Sequence, residues 1–180
     1  MAFLQIDYKS EALMRGVNIK VILPSDGMAG KWEPPYKTLY LLPGYSATAT
    51  ELITYLGLRG QSELKGIAIV LPDGENLFYQ DLPDRMTFYS TYVGKELVEV
   101  TRKMLPLSTK REDTFIGGIS MGGYGALYNG FKYRDTFSKV VAFSPASDAY
   151  MLLAEEDAPG FSRKQFEGIF GSKEAYYGSE

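Results

Sequence analysis

Three observations predict an α/β fold built on a mostly parallel sheet. Short apolar runs without alternation, Thr38–Leu42 (TLYLL), Gly66–Leu71 (GIAIVL) and Lys139–Phe143 (KVVAF), read as strands buried on both faces. Val93, Leu97, Val100 and Met104 fall at helical spacing between them. The third observation is the stretch Gly117-Gly118-Ile119-Ser120-Met121-Gly122-Gly123-Tyr124-Gly125. It follows the β-prone run Asp113–Gly117 and opens a helix-like one with Tyr124, Ala126, Leu127, Tyr128 and Phe131. Strands alternating with helices bury their apolar faces as a three-layer sandwich, one sheet between two helix layers.

The elements follow in order. Phe3 to Leu13 alternate loosely and Val17 to Leu23 more clearly, which predicts two strands joined near Gly16, an antiparallel pair at the sheet edge. Pro24 ends the second, and Ser25–Tyr36, rich in Gly and Pro, is a surface loop. After Thr38–Leu42, Pro43-Gly44 stops the strand, and small residues through Thr50 lead into a helix over Glu51–Leu58. Pro72-Asp73-Gly74 close the next strand. The loop Glu75–Phe88 has Phe78, Tyr79, Phe88 and Tyr89 in or beside it, residues equally suited to lining a pocket and to ordinary packing. A helix over Thr91–Leu105 ends at Pro106, and with the strands flanking the Ser120 segment the sheet-forming runs reach six. From Ser144 the pattern loosens, with a short helix around Lys164–Phe170. Asp148 and Asp157 end no recognisable strand and read as surface or turn residues.

Composition narrows the function classes. A length of 180 residues with 45% hydrophobic content suits one globular domain over residues 1–180 with a sizeable core. Net charge is −3 with signs interspersed, so Arg102-Lys103 and Lys110-Arg111 read as solvated surface and nucleic acid is excluded as a partner. There is no cysteine, which removes disulfides, thiolate metal sites and cysteine nucleophiles. Asp7, Lys9 and Glu11 interrupt the first residues, so neither a signal peptide nor a membrane span fits, and a cytoplasmic setting is expected. The aromatic content of 14% is compatible with a homo-oligomer without deciding it. No G-x-G-x-x-G or Gly-Lys-Ser/Thr run offers a nucleotide site.

The Ser120 segment carries the chemistry. A serine on a sharp strand-to-helix turn needs neighbours without side chains, and Gly118 and Gly122 stand at the two crowded positions of a Gly-x-Ser-x-Gly nucleophile elbow. The competing reading is a glycine-rich turn whose serine caps the helix. Met121 begins that helix, so its N–H lacks an intrahelical partner and suits an oxyanion. In a parallel sheet the ligand crevice lies outside the carboxyl ends of the strands, which brings the Pro43–Thr50 loop beside Ser120 and makes the Tyr45 N–H the candidate second donor. A serine nucleophile needs a base, most often histidine, and the sequence has none.

Taken together, LYLLPGYSATATE, IVLPDGEN, STKREDTFIGGISMGGYGAL, YRDTFSKVVAFSPASD and FEGIFGSKEAYYGSE resemble the esterase D-like branch of the α/β-hydrolases, in particular the small bacterial tributyrin esterases. The resemblance implies an α/β-hydrolase-like three-layer sandwich and a serine carboxylesterase acting on short acyl esters, acylated or acetylated sugars among them. It makes Ser120 the nucleophile and the Met121 and Tyr45 N–H groups the oxyanion hole, with no metal or organic cofactor. An acyltransferase on the same scaffold and a non-catalytic binding protein are the alternatives. Pro43-Gly44 stands where the family usually shows His-Gly, which touches only the shape of the loop because the donor belongs to Tyr45. The family's triad acid and histidine follow on later strands, and neither strand is visible here. A fragment of a longer enzyme and an inactive descendant both account for their absence; the expectation is the first, a C-terminally incomplete fold, with the 180 residues alone nearly inert.

Overall fold

A computed structural model describes residues 1–26, 32–148, 150 and 162–178 of the chain. Strand β1 (Ala2–Ser10) pairs antiparallel with β2 (Arg15–Leu23), matching Ala2 to Leu23 and Ser10 to Arg15. The turn between them is Glu11–Met14, not the vicinity of Gly16, which lies inside β2 opposite Lys9. The displaced turn has a cause: the Glu96 carboxylate accepts from the Glu11 and Ala12 N–H groups and the Ser10 hydroxyl, pinning the reversal from a distant helix. Next come β3 (Lys37–Leu42), α1 (Ala49–Tyr55), α2 (Leu58–Lys65) and β4 (Ile67–Pro72). Thr48 caps α1 with a full capping box to Glu51. The helix expected over Glu51–Leu58 is α1, which stops at Tyr55, and a second helix not expected from the sequence, α2, starts after Gly57 in a left-handed conformation (φ 59°).

The expected loop after β4 contains a two-stranded ribbon, β5 (Asp81–Leu82) with β6 (Thr87–Phe88). The following helix runs through α3 (Tyr89–Thr91), a π-helical turn (Tyr92–Glu96) and α4 (Leu97–Met104). Then β7 (Thr114–Ile119) leads into α5 (Met121–Lys132), and β8 (Lys139–Phe143) ends the sheet. The sheet order is β1-β2-β4-β3-β7-β8, with β4, β3, β7 and β8 parallel.

Alternation along the central strands divides the core into two layers. Leu41, Ile69 and Leu71 pack with Leu52 of α1 and Leu58 of α2. One residue out of phase, Tyr40 turns to the opposite face, where its hydroxyl meets the Thr101 hydroxyl of α4 at 2.9 Å and its ring meets Phe137 edge-on. Each fully buried large apolar side chain contributes roughly 1.5–3 kcal/mol. On the α1/α2 side an apolar groove of about 460 Å³ stays open, lined among others by Leu39, Leu58, Ile119 and Phe143. Phe143, on the outermost strand, is 57% exposed.

The chain resolves into two compact units, Met1–Pro145 and Ala146–Glu180. The second contains α6 (Arg163–Phe170), where a short helix is expected, and α7 (Lys173–Gly178), which the sequence does not signal. Within it the Tyr150 hydroxyl donates to the Gly171 carbonyl and Tyr177 donates to Asp148 at 2.8 Å. No helix among the described residues is long and apolar enough to cross a membrane.

Candidate active site

Register places the site. β3 and β7 pair Leu42 with Gly118, and β7 and β8 pair Ile119 with Phe143, so three strands end side by side where Ser120 begins. The Ser120 N–H donates to the Phe143 carbonyl at 3.0 Å, and the Ser120 carbonyl accepts the first bond of α5 from Tyr124 at 3.0 Å. Between these anchors the backbone must turn within one residue, and Ser120 takes φ 54°, ψ −115°. A side-chain-bearing residue in such a region costs on the order of 1–3 kcal/mol, a strain that recurs at functional sites. The serine makes no capping bond to the helix it precedes and lies exposed. It therefore does not serve as a helix cap, which a turn-forming serine would.

The flanking glycines are required by contact. A Cβ at Gly118 would lie 2.9 Å from the Gly123 nitrogen and closer still to the Gly122 carbonyl oxygen. A Cβ at Gly122 would lie 2.5 Å from the Pro43 carbonyl oxygen and closer still to that of Leu42. The second contact joins the two halves of the site, because the start of α5 is pressed against the end of β3. Gly44 also runs beside the serine, a Cβ there standing 3.6 Å from Ser120 Cβ.

In the facing loop, the Gly44 carbonyl accepts from the Ala47 N–H at 3.2 Å, closing a tight turn. That carbonyl belongs to the peptide unit whose other end is the Tyr45 N–H, so the bond fixes the direction of the candidate donor. Opposite, the N–H groups of the first three residues of α5, Met121 first, have no intrahelical partner. The Met121 side chain is buried. The half-buried Tyr45 ring lies 6.3 Å from Phe78, which meets Tyr124 edge-on at 5.6 Å, and Tyr124 stacks on Tyr128 at 6.2 Å. Phe78 thus joins the site by its ring, and Tyr79 by its hydroxyl, which donates to the Pro43 carbonyl. Tyr89 packs instead between Tyr79 and Tyr92 and accepts from Arg15 at 2.8 Å. Burial pushes the Tyr79 hydroxyl well above its ordinary value, so it stays protonated and acts as a donor.

The family model for esterases matches residues 10–167. The chain belongs to the esterase family. An acetyl esterase of Caldicellulosiruptor saccharolyticus is 40% identical over 151 residues, 81% of this chain and 57% of the relative. An S-formylglutathione hydrolase of Paracoccus denitrificans is 28% identical over 192 residues, 93% of this chain and 63% of the relative. Among solved structures, the substrate-bound fluorophosphonate-binding serine hydrolase F (FphF) of Staphylococcus aureus aligns with a TM-score of 0.81 at 30% identity, covering 95% of this chain and 66% of its own. The chain thus spans between 57% and 66% of the length of these relatives. Its layers and mostly parallel sheet are those of the α/β-hydrolases, the fold class expected from the sequence.

In this member of the esterase family, then, Ser120 and Met121 sit at one junction and Tyr45 in the loop alongside. Asp148 lies in the second unit, engaged by Tyr177 and by the Tyr150 N–H, and Asp157 lies outside the described residues. Among the described residues no group of three or more His, Asp or Glu is placed to hold a metal. Sequence reasoning missed the residues that brace the Tyr45 loop. The Asn76 Oδ1 accepts from the Ser46 N–H at 2.7 Å, and the Asp73 Oδ1 accepts from the Ala49 N–H at 2.7 Å. Both stand in the quoted IVLPDGEN run, which was available as a signal but carries no local periodicity.

Proposed function

We propose that the protein is a serine carboxylesterase that hydrolyses short-chain acyl esters, acetylated or acylated sugars among them, through an acyl-enzyme on Ser120. The observation that carries this reading is the strained, exposed, non-capping Ser120 at a junction that only glycines can flank. The 40% identity to a protein named acetyl esterase supports a small acyl group, and the likeness to a fluorophosphonate-binding serine hydrolase supports a serine nucleophile.

This reading implies the following steps. Ser120 Oγ attacks the ester carbonyl carbon while its proton passes to a base. The carbonyl π electrons move to oxygen, and the Met121 and Tyr45 N–H groups hold the resulting charge. Collapse of the tetrahedral intermediate expels the alcohol, which takes a proton. Water then attacks the acyl-enzyme by the same route, releasing the acid and restoring Ser120. None of the 180 residues is a histidine, so an imidazole base must reach Ser120 from outside them.

The experiment supplies that base in solution. With added imidazole, p-nitrophenyl acetate and butyrate should acylate Ser120, read as a mass increment on its peptide, and p-nitrophenyl octanoate should do so more slowly. An increment that persists in Ser120→Ala would contradict the assignment.

A further inference from the structure

The loop from Asp73 to Tyr79 fastens the loop carrying Tyr45 at three points. Besides the bonds from Ser46 to Asn76 and from Ala49 to Asp73, the Tyr79 hydroxyl donates to the Pro43 carbonyl at 2.8 Å. The third bond acts at the softest place. Pro43 oxygen belongs to the Pro43–Gly44 peptide plane, and Gly44 imposes the least steric restriction on rotation of that plane. The next plane, Gly44–Tyr45, carries the proposed donor and is held by the Ala47 N–H. With both oxygens bonded, two consecutive peptide planes are fixed, and the Tyr45 N–H has one direction. Without the hydroxyl, the first plane can turn and carry the second with it.

The fold makes local sacrifices to place this hydroxyl. Phe78 and Tyr79 both take positive φ, 53° and 57°, a left-handed conformation that costs roughly 1–2 kcal/mol at each non-glycine residue. The detour drives Tyr79 inward to 1% exposure. Room for its ring comes from two glycines: a Cβ at Gly125 of α5 would lie 2.8 Å from Tyr79 Cγ, and one at Gly74 would lie 3.0 Å from Tyr79 Cζ. The Tyr79 carbonyl in turn accepts from Asn129 Nδ2 of α5 at 3.4 Å. One residue thus ties the helix that begins at Met121 to the loop that carries Tyr45.

We propose that Tyr79 is a positioning residue for the oxyanion hole, its hydroxyl locking the Pro43–Gly44 peptide so that the Tyr45 N–H stays aligned with Ser120. The inference rests on the esterase reading given above. Its test compares Tyr79→Phe, which keeps the ring, with Tyr89→Phe, which removes the hydroxyl of an equally buried tyrosine that bonds Arg15 and the Glu75 backbone and makes no bond to the loop carrying Tyr45. Two quantities are measured on the 180-residue chain: the exchange rate of the Ala47 amide, and the limiting rate of Ser120 acylation by p-nitrophenyl acetate with imidazole. Tyr79→Phe should speed Ala47 exchange and slow limiting acylation, each about tenfold, with half-saturation unchanged because the hole acts on the transition state. Tyr89→Phe should change neither. Equal exchange in the two variants overturns the proposal, and so does undiminished acylation in a Tyr79→Phe chain whose Ala47 exchange has risen. If the parent chain is not acylated at all, the esterase reading fails by itself, and the exchange comparison still decides whether Tyr79 locks the loop. A Tyr79→Phe chain that fails to fold also overturns the proposal, because the hydroxyl would then hold the fold rather than one peptide plane of the loop.

Discussion

Replacing Gly122 with alanine attacks the contact that joins the two halves of the site. The added Cβ would start 2.5 Å from the Pro43 carbonyl oxygen and 2.6 Å from the Leu42 carbonyl carbon, against about 3.4 Å for ordinary contact. Backbone must therefore separate by more than about 0.9 Å, because the Leu42 carbonyl oxygen starts closer still. Overpacking that side chains can relieve costs about 1–3 kcal/mol. Here both neighbours are backbone, held by the sheet and by Tyr79, so the upper value of about 3 kcal/mol applies. Alanine gains about 1 kcal/mol over glycine within a helix, leaving a net loss of about 2 kcal/mol. At roughly 2–4 °C per kcal/mol for a chain of this size, Tm should fall by about 4–8 °C. Gly60→Ala in α2 is the matched control, because nothing lies within 4 Å of a Cβ there, and Tm should rise by about 2–4 °C. Thermal unfolding followed by circular dichroism measures both. Equal Tm values for the two variants would refute the argument that close approach, rather than turn flexibility, requires the glycine.

Three further outcomes follow from the same geometry. Ser120→Gly removes a side chain from φ 54° and should raise Tm by about 2–4 °C in the same melt while abolishing fluorophosphonate labelling, since the relieved strain exceeds the entropy glycine adds by about 1 kcal/mol. Thr48→Ala breaks the capping box of α1 and should cost about 1 kcal/mol in urea unfolding, with the m-value unchanged. Burial pushes the Tyr40 hydroxyl up to about 12, so the folded chain keeps its proton between pH 10 and 12 while the unfolded chain loses it. Stability contributed by the neutral form is complete below pH 10 and falls through that window by about 1.4 kcal/mol per pH unit. Urea unfolding at pH 10, 11 and 12 should show a slope shallower by that amount in Tyr40→Phe.

What was legible in the sequence was local. Runs such as TLYLL and GIAIVL mark β3 and β4 because strands buried on both faces leave no polar position, and the glycines around Ser120 mark the elbow because they answer a clash within a few residues. The break at Gly57 was hidden because a glycine inside an apolar pattern is compatible with either one helix or two. The turn at Glu11–Met14 depends on Glu96, and the lock on Pro43 depends on a tyrosine 36 residues away. No periodicity carries such bonds. The aromatic cluster in Glu75–Phe88 illustrates this limit: composition presented Tyr79 and Tyr89 as alike, and only the structure separates the one that holds the loop from the one that packs against Tyr92.

The central claim is that Ser120 is an activated nucleophile facing an oxyanion hole. The most direct measurement is labelling of the 180-residue chain by an aryl fluorophosphonate with imidazole present, followed by intact mass and peptide mapping. One adduct is expected, on Ser120, absent in Ser120→Ala and slowed in Tyr79→Phe. An unlabelled Ser120, or an adduct on another residue at equal rate, would contradict it.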